Sequence, residues 1–289
     1  MNVFISIFMS KSNFEKIIEF HTAFGLPSCN TVNRENLQNF KIASLRVKLI
    51  QEEFTELKTA RYLIEQLDAI GDLLYVVYGS GTSFGFDLDS AFHNYCVRQL
   101  ENAKYPTNIF DEKMTNFQKT YKLCTLFQLP KSTLEPPISR ENGLQLHSVL
   151  KPNALDSPNS HALDNFEIKI YKLAHALLMC DTTTVQDTLV EMLYSLYCVG
   201  YICDYNLDCL FAEIHNSNMT KLCSSEQEAI DTVKWYKEYQ LDRYPLPEYK
   251  KLSDCEKWVV FDKSTDKRLK SIHYVPPEIN PILLKQIKY

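Results

Sequence analysis

Internal similarity is the feature of this sequence that most restricts how the chain can fold. Residues 68–92, DAIGDLLYVVYGSGTSFGFDLDSAF, align without a gap on residues 187–211, DTLVEMLYSLYCVGYICDYNLDCLF. Upstream, the pattern Thr-x-Phe-x-Leu-Pro of residues 22–27 returns at residues 125–130, and Arg-Glu-Asn follows it in both places. Because the matches occur in the same order, they predict a tandem duplication, in which one structural unit is built twice.

Each copy has the pattern of a helical bundle. In the first copy, apolar residues recur at helical spacing over residues 40–66 without a glycine or proline, and the pattern continues over 67–78. The glycine-containing stretch 79–87 is expected to end this helix, and Asp87 is the expected N-cap of the next one. Residues 129–160 are rich in Pro, Ser and Asn, which predicts a loop between the copies.

Strand patterning is confined to the end of the chain. KWVVFDKSTDKRLKSIHYV, residues 257–275, alternates around a polar turn, which is typical of a β-hairpin. We therefore expect an all-α fold of two tandem helical bundles, paired within the chain as a pseudo-dimer, with a small C-terminal β-hairpin. The expected boundaries are 1–117 for the first repeat, 118–245 for the second, and 246–289 for the hairpin and tail.

Composition argues against several classes of partner. The net charge of −5 and the pI of about 5.8 give no basic surface for nucleic acid or an acidic membrane. The nine cysteines are scattered without a C-x-x-C pair, which is typical of small buried hydrophobes in a reducing compartment. The opening MNVFISIFMS is too short for a membrane span and lacks the basic start of a signal peptide. We expect a soluble cytoplasmic protein.

Carboxylates are concentrated in one short region of the first copy. LIQEEFTELKTA, residues 49–60, has three glutamates within five positions, and two aspartates four residues apart follow in the next stretch. If the two helices pack antiparallel, five carboxylates converge: Glu52, Glu53, Glu56, Asp68 and Asp72. Clustered anions repel each other at low dielectric, so the set predicts a bound cation, and Mg²⁺ suits carboxylates beside phosphates. On spacing alone, the alternative is a solvated acidic face with Lys58 and Arg61 in ordinary helix pairs.

These motifs resemble the all-alpha nucleoside triphosphate pyrophosphatases, the group of MazG, the dimeric dUTPases and phosphoribosyl-ATP pyrophosphohydrolase. They are most similar to the phosphoribosyl-ATP pyrophosphohydrolase-like branch. The resemblance is carried by LIQEEFTELKTA and DAIGDLLYVVYG, by FHTAFGLP at 20–27, by HNSNMTK at 215–221, and by WVVFDKSTDKRLKSIHYVPP at 258–277. It implies helical bundles that pair into dimers, Mg²⁺ held by acidic residues, and attack of water on a nucleotide phosphate chain.

The resemblance also implies roles for the acidic residues. Glu52, Glu53, Glu56 and Asp72 would hold one or two Mg²⁺ ions, and Glu53 or Glu56 would act as the catalytic residue that orients the attacking water. One position departs from the family pattern, which often has E-x-x-D in its second motif, because the residue three before Asp72 is Ala69. Asp68, one residue further back, is the nearest substitute, and the number of metal ions stays open.

The second copy does not keep the acidic set. Alignment of LKTA, residues 57–60, with LAHA, residues 173–176, places Ile168, Lys169 and Lys172 opposite the three glutamates. Glu191 stands opposite Asp72. Because lysine does not bind Mg²⁺, no metal site is expected in the second copy.

The first copy, in turn, lacks HNSNMTK. We therefore predict one composite site, with metal ions on the first copy and with Asn218 and Lys221 of the second copy binding the substrate. Lysine suits a phosphate as a point charge, and asparagine can hydrogen-bond a base or a sugar. The alternative is that SNMTK only caps and packs a helix.

The function predicted from these features is a Mg²⁺-dependent nucleoside triphosphate pyrophosphohydrolase, which releases a nucleoside monophosphate and pyrophosphate. Two alternatives stay open: a degenerate family member that binds nucleotides or a protein partner without turnover, and a purely structural helical module. The expected assembly is either a monomeric pseudo-dimer or a homodimer.

Overall fold

The computed structural model describes residues 11–129, 131, 165–252 and 256–284. The opening MNVFISIFMS and most of the predicted loop between the copies lie outside these ranges. Within them, the predicted helical fold with a small C-terminal hairpin is confirmed.

The helices fall into two successive groups. The first half contains α1 (Asn13–Ala23), α2 (Arg34–Gln38), α3 (Phe40–Thr59), α4 (Leu63–Phe84) and α5 (Leu88–Asn102). The second half contains α6 (Asn116–Leu126), α7 (Phe166–Leu178), α8 (Thr182–Cys203) and α9 (Leu207–Met219). The C-terminal module, residues 226–284, contains α10 (Glu226–Tyr239), β1 (Pro247–Lys251), β2 (Trp258–Asp262) and α11 (Pro281–Leu284).

Side-chain caps determine where several helices begin. Ser12 and Thr115 each accept a hydrogen bond from the backbone N–H three residues later, and the side chain of that third residue bonds back to the cap. These two capping boxes begin α1 and α6 and pair backbone donors that the helices cannot satisfy internally. Asp87 caps α5, as predicted.

The break between the two long helices of the first half was not located in the sequence, whereas the predicted stretch 79–87 does contain the end of α4. The chain leaves the helix at residues 60–62, and α4 then continues through Gly79 and Gly81 to Phe84. Gly81 is kept inside the helix because a Cβ there would lie 2.4 Å from the Leu88 side chain. The helix ends at Gly85, whose φ of 78° favours glycine and where a Cβ would collide with a backbone carbonyl.

The hairpin also differs from the prediction in its pairing. β2 pairs antiparallel with the preceding β1, in a register that places Pro247 opposite Asp262 and Lys251 opposite Trp258. Residues after β2 add only an isolated bridge between Phe261 and Arg268. The alternating pattern therefore predicted β2 correctly, but β2 pairs mainly with β1, which precedes it, and not with the residues that follow it.

The two halves contact each other through corresponding helices. α3 packs on α4 and α7 packs on α8, while α4 contacts α8 and α3 contacts α7. α1 lies on α4 and on α9 of the second half, and α6 lies on α8 and on α5 of the first half. Each half therefore completes the packing of the other, around a core that runs through both.

Two matching sets of buried hydrogen bonds join the halves. Asn13 Nδ2 donates to Tyr197 Oη at 3.1 Å and to Asp208 Oδ1 at 2.9 Å. Asn116 Nδ2 donates to Tyr78 Oη at 3.0 Å, and to the aspartate of α5 that aligns with Asp208 at 2.7 Å. The two phenol oxygens lie 2.8 Å apart. Asn116 begins α6, so the boundary predicted between residues 117 and 118 falls inside a helix of this network.

The C-terminal module bridges the same two halves. Leu252 and Val259 pack on Phe24, which follows α1, and on Met219 and Leu222 at the end of α9. α10 covers the other side of the hairpin, around a small core that includes Cys223 and Val260. The module is therefore attached where the end of α1 meets the end of α9.

Two further observations concern composition. In the described part of the chain, no helix is both long and apolar enough to cross a membrane. The cysteines within the described ranges are free thiols, and four of them are buried: Cys96, Cys124, Cys198 and Cys223. Cys180 is exposed, and Cys255 lies outside the described ranges.

Candidate active site

α3 and α4 bring predicted metal-binding residues into one group. Glu53 of α3 is half-buried, and burial raises the pKa of its carboxyl to about 8, with further increases from Asp72 and Glu56. Burial raises the pKa of Asp72 on α4 to about 6, Lys221 opposes this rise, and Asp68 adds to it. Glu53 and Asp72 therefore form the centre of an anionic group whose charges are close enough to repel one another.

The other three carboxylates lie around this centre. Burial raises the pKa of Asp68, and the charge of Lys270 opposes the rise. Glu56 is exposed, and its charge acts on both Glu53 and Asp68. Glu52 is half-buried, and its Oε1 is 3.6 Å from Lys48 Nζ in an ordinary helix pair.

The donor chemistry of this group fits Mg²⁺, which takes carboxylate oxygens and would neutralise the repulsion that adds to the effect of burial on these pKa values. Within the described ranges, however, no three His, Cys, Asp or Glu side chains lie close enough together to hold a metal ion. The acidic side chains thus share one region without forming a complete set of ligands in this conformation.

Lys221, just after α9, places a cation of the second half at this group. Burial lowers the pKa of its ammonium group, whereas the charges of Asp72 and Glu53 oppose that decrease. The structure therefore brings together the acidic residues of the first half and the lysine predicted to complete a composite site.

Asn218 and His215 of the same motif lie further back, around Tyr75 of α4. The Asn218 side chain hydrogen-bonds the Tyr75 phenol, and His215 Nδ1 lies 3.1 Å from the same phenol oxygen. The other ring nitrogen of His215 lies 3.6 Å from Glu19 Oε2. Asn218 is buried, and its bond to Tyr75 connects α9 to α4.

Two lysines of the C-terminal module also reach the group, and the sequence interpretation missed them. Lys270 acts on Asp68 and Asp72, and Lys267 acts on Lys221 and lines the adjoining cavity. The run KRLK, residues 267–270, was visible in the sequence. Its position beside the acidic group depends on how the module packs, which no local pattern specifies.

A cavity of about 1070 Å³ opens beside the acidic group, between α3 and α7. Glu52, Glu56 and Lys267 lie among its charged lining residues, and Phe40 and Tyr171 are exposed aromatic side chains in its wall. Most of its remaining lining is apolar. The arrangement combines an anionic end, nearby cations and aromatic surface within one recess.

The corresponding positions of the second half are occupied differently. Lys169 Nζ donates to Ser195 Oγ at 2.6 Å, and Lys172 Nζ lies 3.1 Å from Glu191 Oε2. In this half a lysine of α7 therefore pairs directly with the glutamate of α8 that aligns with Asp72.

Comparison with known proteins finds a family model that matches part of the first half. Residues 17–98 match the family model of phosphoribosyl-ATP pyrophosphohydrolase, a range that contains all five carboxylates. The predicted relationship to the all-alpha nucleoside triphosphate pyrophosphatases is thereby confirmed for this range. An uncharacterized protein of Acanthamoeba polyphaga mimivirus is 29% identical over 282 residues, which cover 94% of this chain and 96% of that protein. No solved structure matches the chain.

Proposed function

We propose that this chain is a Mg²⁺-dependent nucleoside triphosphate pyrophosphohydrolase that releases a nucleoside monophosphate and pyrophosphate. The observation that carries the proposal is the half-buried pair Glu53 and Asp72, which share a charged group with Lys221. Glu52 and Glu56 of the same acidic region line a cavity of about 1070 Å³. The family match over residues 17–98 supports hydrolysis of a phosphoric anhydride in general. The triphosphate substrate and the magnesium ion are the specific parts of the proposal.

In the proposed reaction, water adds to a phosphorus atom, the anhydride bond to pyrophosphate breaks, and pyrophosphate leaves. Mg²⁺ would be held by carboxylates among Glu52, Glu53, Glu56, Asp68 and Asp72, and it would neutralise charge on the phosphates. Glu53 accepts the proton of the attacking water, because a raised pKa makes its carboxylate a stronger base. Lys221 binds the anionic phosphate chain opposite the carboxylates.

The cavity between α3 and α7 accommodates the nucleoside in this proposal. Its apolar wall, with Phe40 and Tyr171, offers surfaces on which a base can stack, while its charged end adjoins the acidic group. Asn218 supports the site from behind by holding Tyr75.

A second candidate function is binding of nucleotides without turnover. Ala69 occupies a position where the family often has an acidic residue, and the described ranges contain no complete group of metal ligands. These two observations favour a degenerate family member.

We also propose that the halves derive from a tandem duplication and form the family's dimer within one chain. The support is the pair of matching hydrogen-bond sets, in which Asn13 and Asn116 occupy aligned positions and reach across to opposite halves. A monomer, or a dimer of such pseudo-dimers, follows in solution, and a cytoplasmic location remains a prediction from composition. Sedimentation that shows an odd-numbered oligomer larger than one would contradict this pairing.

The function is tested by measuring pyrophosphate release from standard and modified nucleoside triphosphates with and without Mg²⁺. We expect release from at least one triphosphate that stops when Mg²⁺ is chelated. Calorimetric binding of Mg²⁺ and nucleotide without any pyrophosphate release would instead support the degenerate binder.

A further inference from the structure

The segment that follows β2 runs along the edge of the candidate active site. Lys267 lines the cavity together with Glu52 and Glu56, and Arg243, which follows α10, lines it from the same module. Neither half contributes these cations, so one wall of the cavity belongs to the C-terminal module.

Hydrogen bonds fix this segment at both ends. Leu269 N donates to Val260 O of β2 at 2.9 Å, and Lys270 N donates to Tyr236 Oη of α10 at 3.1 Å. Further along, Val275 N donates to Thr220 Oγ1 at 2.9 Å, next to Lys221. The segment is therefore held against the end of α9 and is not a loose tail.

The same attachment gathers ammonium groups at the site. Lys270 Nζ lies 4.3 Å from the centre of the Tyr274 ring, and Lys221 Nζ lies 6.0 Å from the centre of the same ring. Ser217 Oγ, in α9, donates to Tyr274 Oη at 2.9 Å and keeps the ring in place. Two cations, one from the second half and one from the C-terminal module, thus lie near the Tyr274 ring.

These cations are available to an anionic ligand. Within the described ranges, no carboxylate oxygen lies within 4.0 Å, the limit for an ion pair, of the ammonium nitrogen of Lys221, Lys267 or Lys270. Lys267 and Lys270 are exposed, whereas neighbouring Arg268 already pairs with Asp266. A polyphosphate that approaches the carboxylates needs such cations, because the acidic group alone repels it.

We propose that Lys267 and Lys270 are substrate-binding residues, and that the C-terminal module supplies the wall of the active site that binds the polyphosphate chain. This inference rests on the proposed function for its substrate. It gives the hairpin a direct role: β2 and α10 hold a two-lysine segment opposite the carboxylates of the first half.

The test compares Lys267→Gln, Lys270→Gln and the double variant with the wild-type full-length chain. Inorganic tripolyphosphate with Mg²⁺ is the calorimetric probe, and KM and kcat are measured with a triphosphate that the wild type hydrolyses. We expect each single substitution to weaken tripolyphosphate binding about tenfold and the double variant more than thirtyfold. KM should rise accordingly while kcat changes little, and Lys270→Arg should restore most of the binding.

Lys263→Gln is the matched control, since Lys263 is an exposed lysine of the same module that pairs with Glu248 at 3.0 Å. It should bind tripolyphosphate like the wild type. Unchanged binding in the double variant, or no binding by the wild type, would overturn the inference and leave the lysines as mere neutralisers of the acidic group. If the wild type binds tripolyphosphate through these lysines but releases no pyrophosphate from any nucleotide, the proposed function fails and the inference stands.

Discussion

The two halves place opposite charges at aligned positions of a similar helical frame. In the first half, Glu56 and Asp72 belong to a group of carboxylates, and the charge of Glu56 adds to the effect of burial, which raises the pKa of Asp72. In the second half, Lys172 and Glu191 stand at the aligned positions and form an ion pair at 3.1 Å. The second half thus balances its charge within itself, whereas the first half has an excess of negative charge that a bound cation and the lysines of other segments can balance.

A second difference lies near the ends of the same helices. In the first half, a Cβ at Gly79 would lie 3.1 Å from Arg46 Nη1 and 3.2 Å from His21 Nε2, so glycine leaves room for two buried polar side chains. The aligned positions of the second half hold Cys198 and Cys124, whose sulfurs lie 3.7 Å apart. Small side chains therefore pack at these positions of the second half, where the first half has buried polar groups. This difference agrees with chemistry that is concentrated in the first half.

The largest expected effect comes from removing central carboxylates of the first half. Glu53→Gln and Asp72→Asn should each lower kcat by about 10²–10⁴-fold, because they remove a proton acceptor or a metal ligand. The aligned change Glu191→Gln should leave activity within about twofold. Activities are compared by pyrophosphate release at saturating nucleotide, with folding checked by circular dichroism. Full activity in both first-half variants would remove the metal-site assignment.

The next effect tests whether the second half contributes to the site. Lys221→Ala should lower kcat/KM about ten- to a hundredfold, since one charge-assisted phosphate contact is worth about 1.5–3 kcal/mol. Lys169→Ala changes a lysine of the same half whose ammonium donates to Ser195, away from the acidic group, and should have little effect on kcat/KM. Equal losses in both variants would indicate that they act through stability and not through the substrate.

The sequence predicted the helices and the acidic group better than it predicted their surroundings. Residue spacing was sufficient to place Glu53 and Asp72 on facing helices, because helical periodicity is a local property. The break at residues 60–62 was missed because it contains no glycine or proline, whereas the end of α4 was placed correctly within residues 79–87, where Gly85 has a φ of 78°. Lys270 was missed because its neighbours at the site are distant in sequence.

A smaller effect is expected in the pH dependence of stability. The pKa of Glu53 rises from 4.5 to about 8 on folding, so the folded state binds this proton more tightly than the unfolded state does. The resulting contribution to stability is fully present below pH 4.5 and is lost as the pH rises through 8. Without Mg²⁺, Glu53 should therefore lower the unfolding free energy by an amount on the order of 2 kcal/mol between pH 5 and pH 8, after allowance for solvent screening. In Glu53→Gln this decrease should be absent. Urea unfolding at both pH values measures this difference.

Glu191→Gln is the control for that measurement, because the aligned glutamate pairs with Lys172. Its stability should change with pH as the wild type does. A wild-type slope that survives in Glu53→Gln would show that the burial of this carboxyl is not what couples stability to pH.

The smallest expected effect is on the ion pair of the second half. Lys172 is exposed and Glu191 is half-buried, and surface pairs of this kind contribute about 0.5 kcal/mol because solvent screens them. Lys172→Met should therefore lower the unfolding free energy by about that amount, and Lys172→Glu should lower it by about 1 kcal/mol, since it places a second carboxylate beside Glu191.

Lys234→Met, at an exposed position of α10, is the control and should change stability less than Lys172→Met. Urea unfolding at pH 7 in low and high salt separates these values, because the part that depends on charge shrinks as salt is added. If Lys172→Glu were as stable as the wild type, the lysine would not be balancing Glu191, and the contrast in charge between the halves would lose its physical basis.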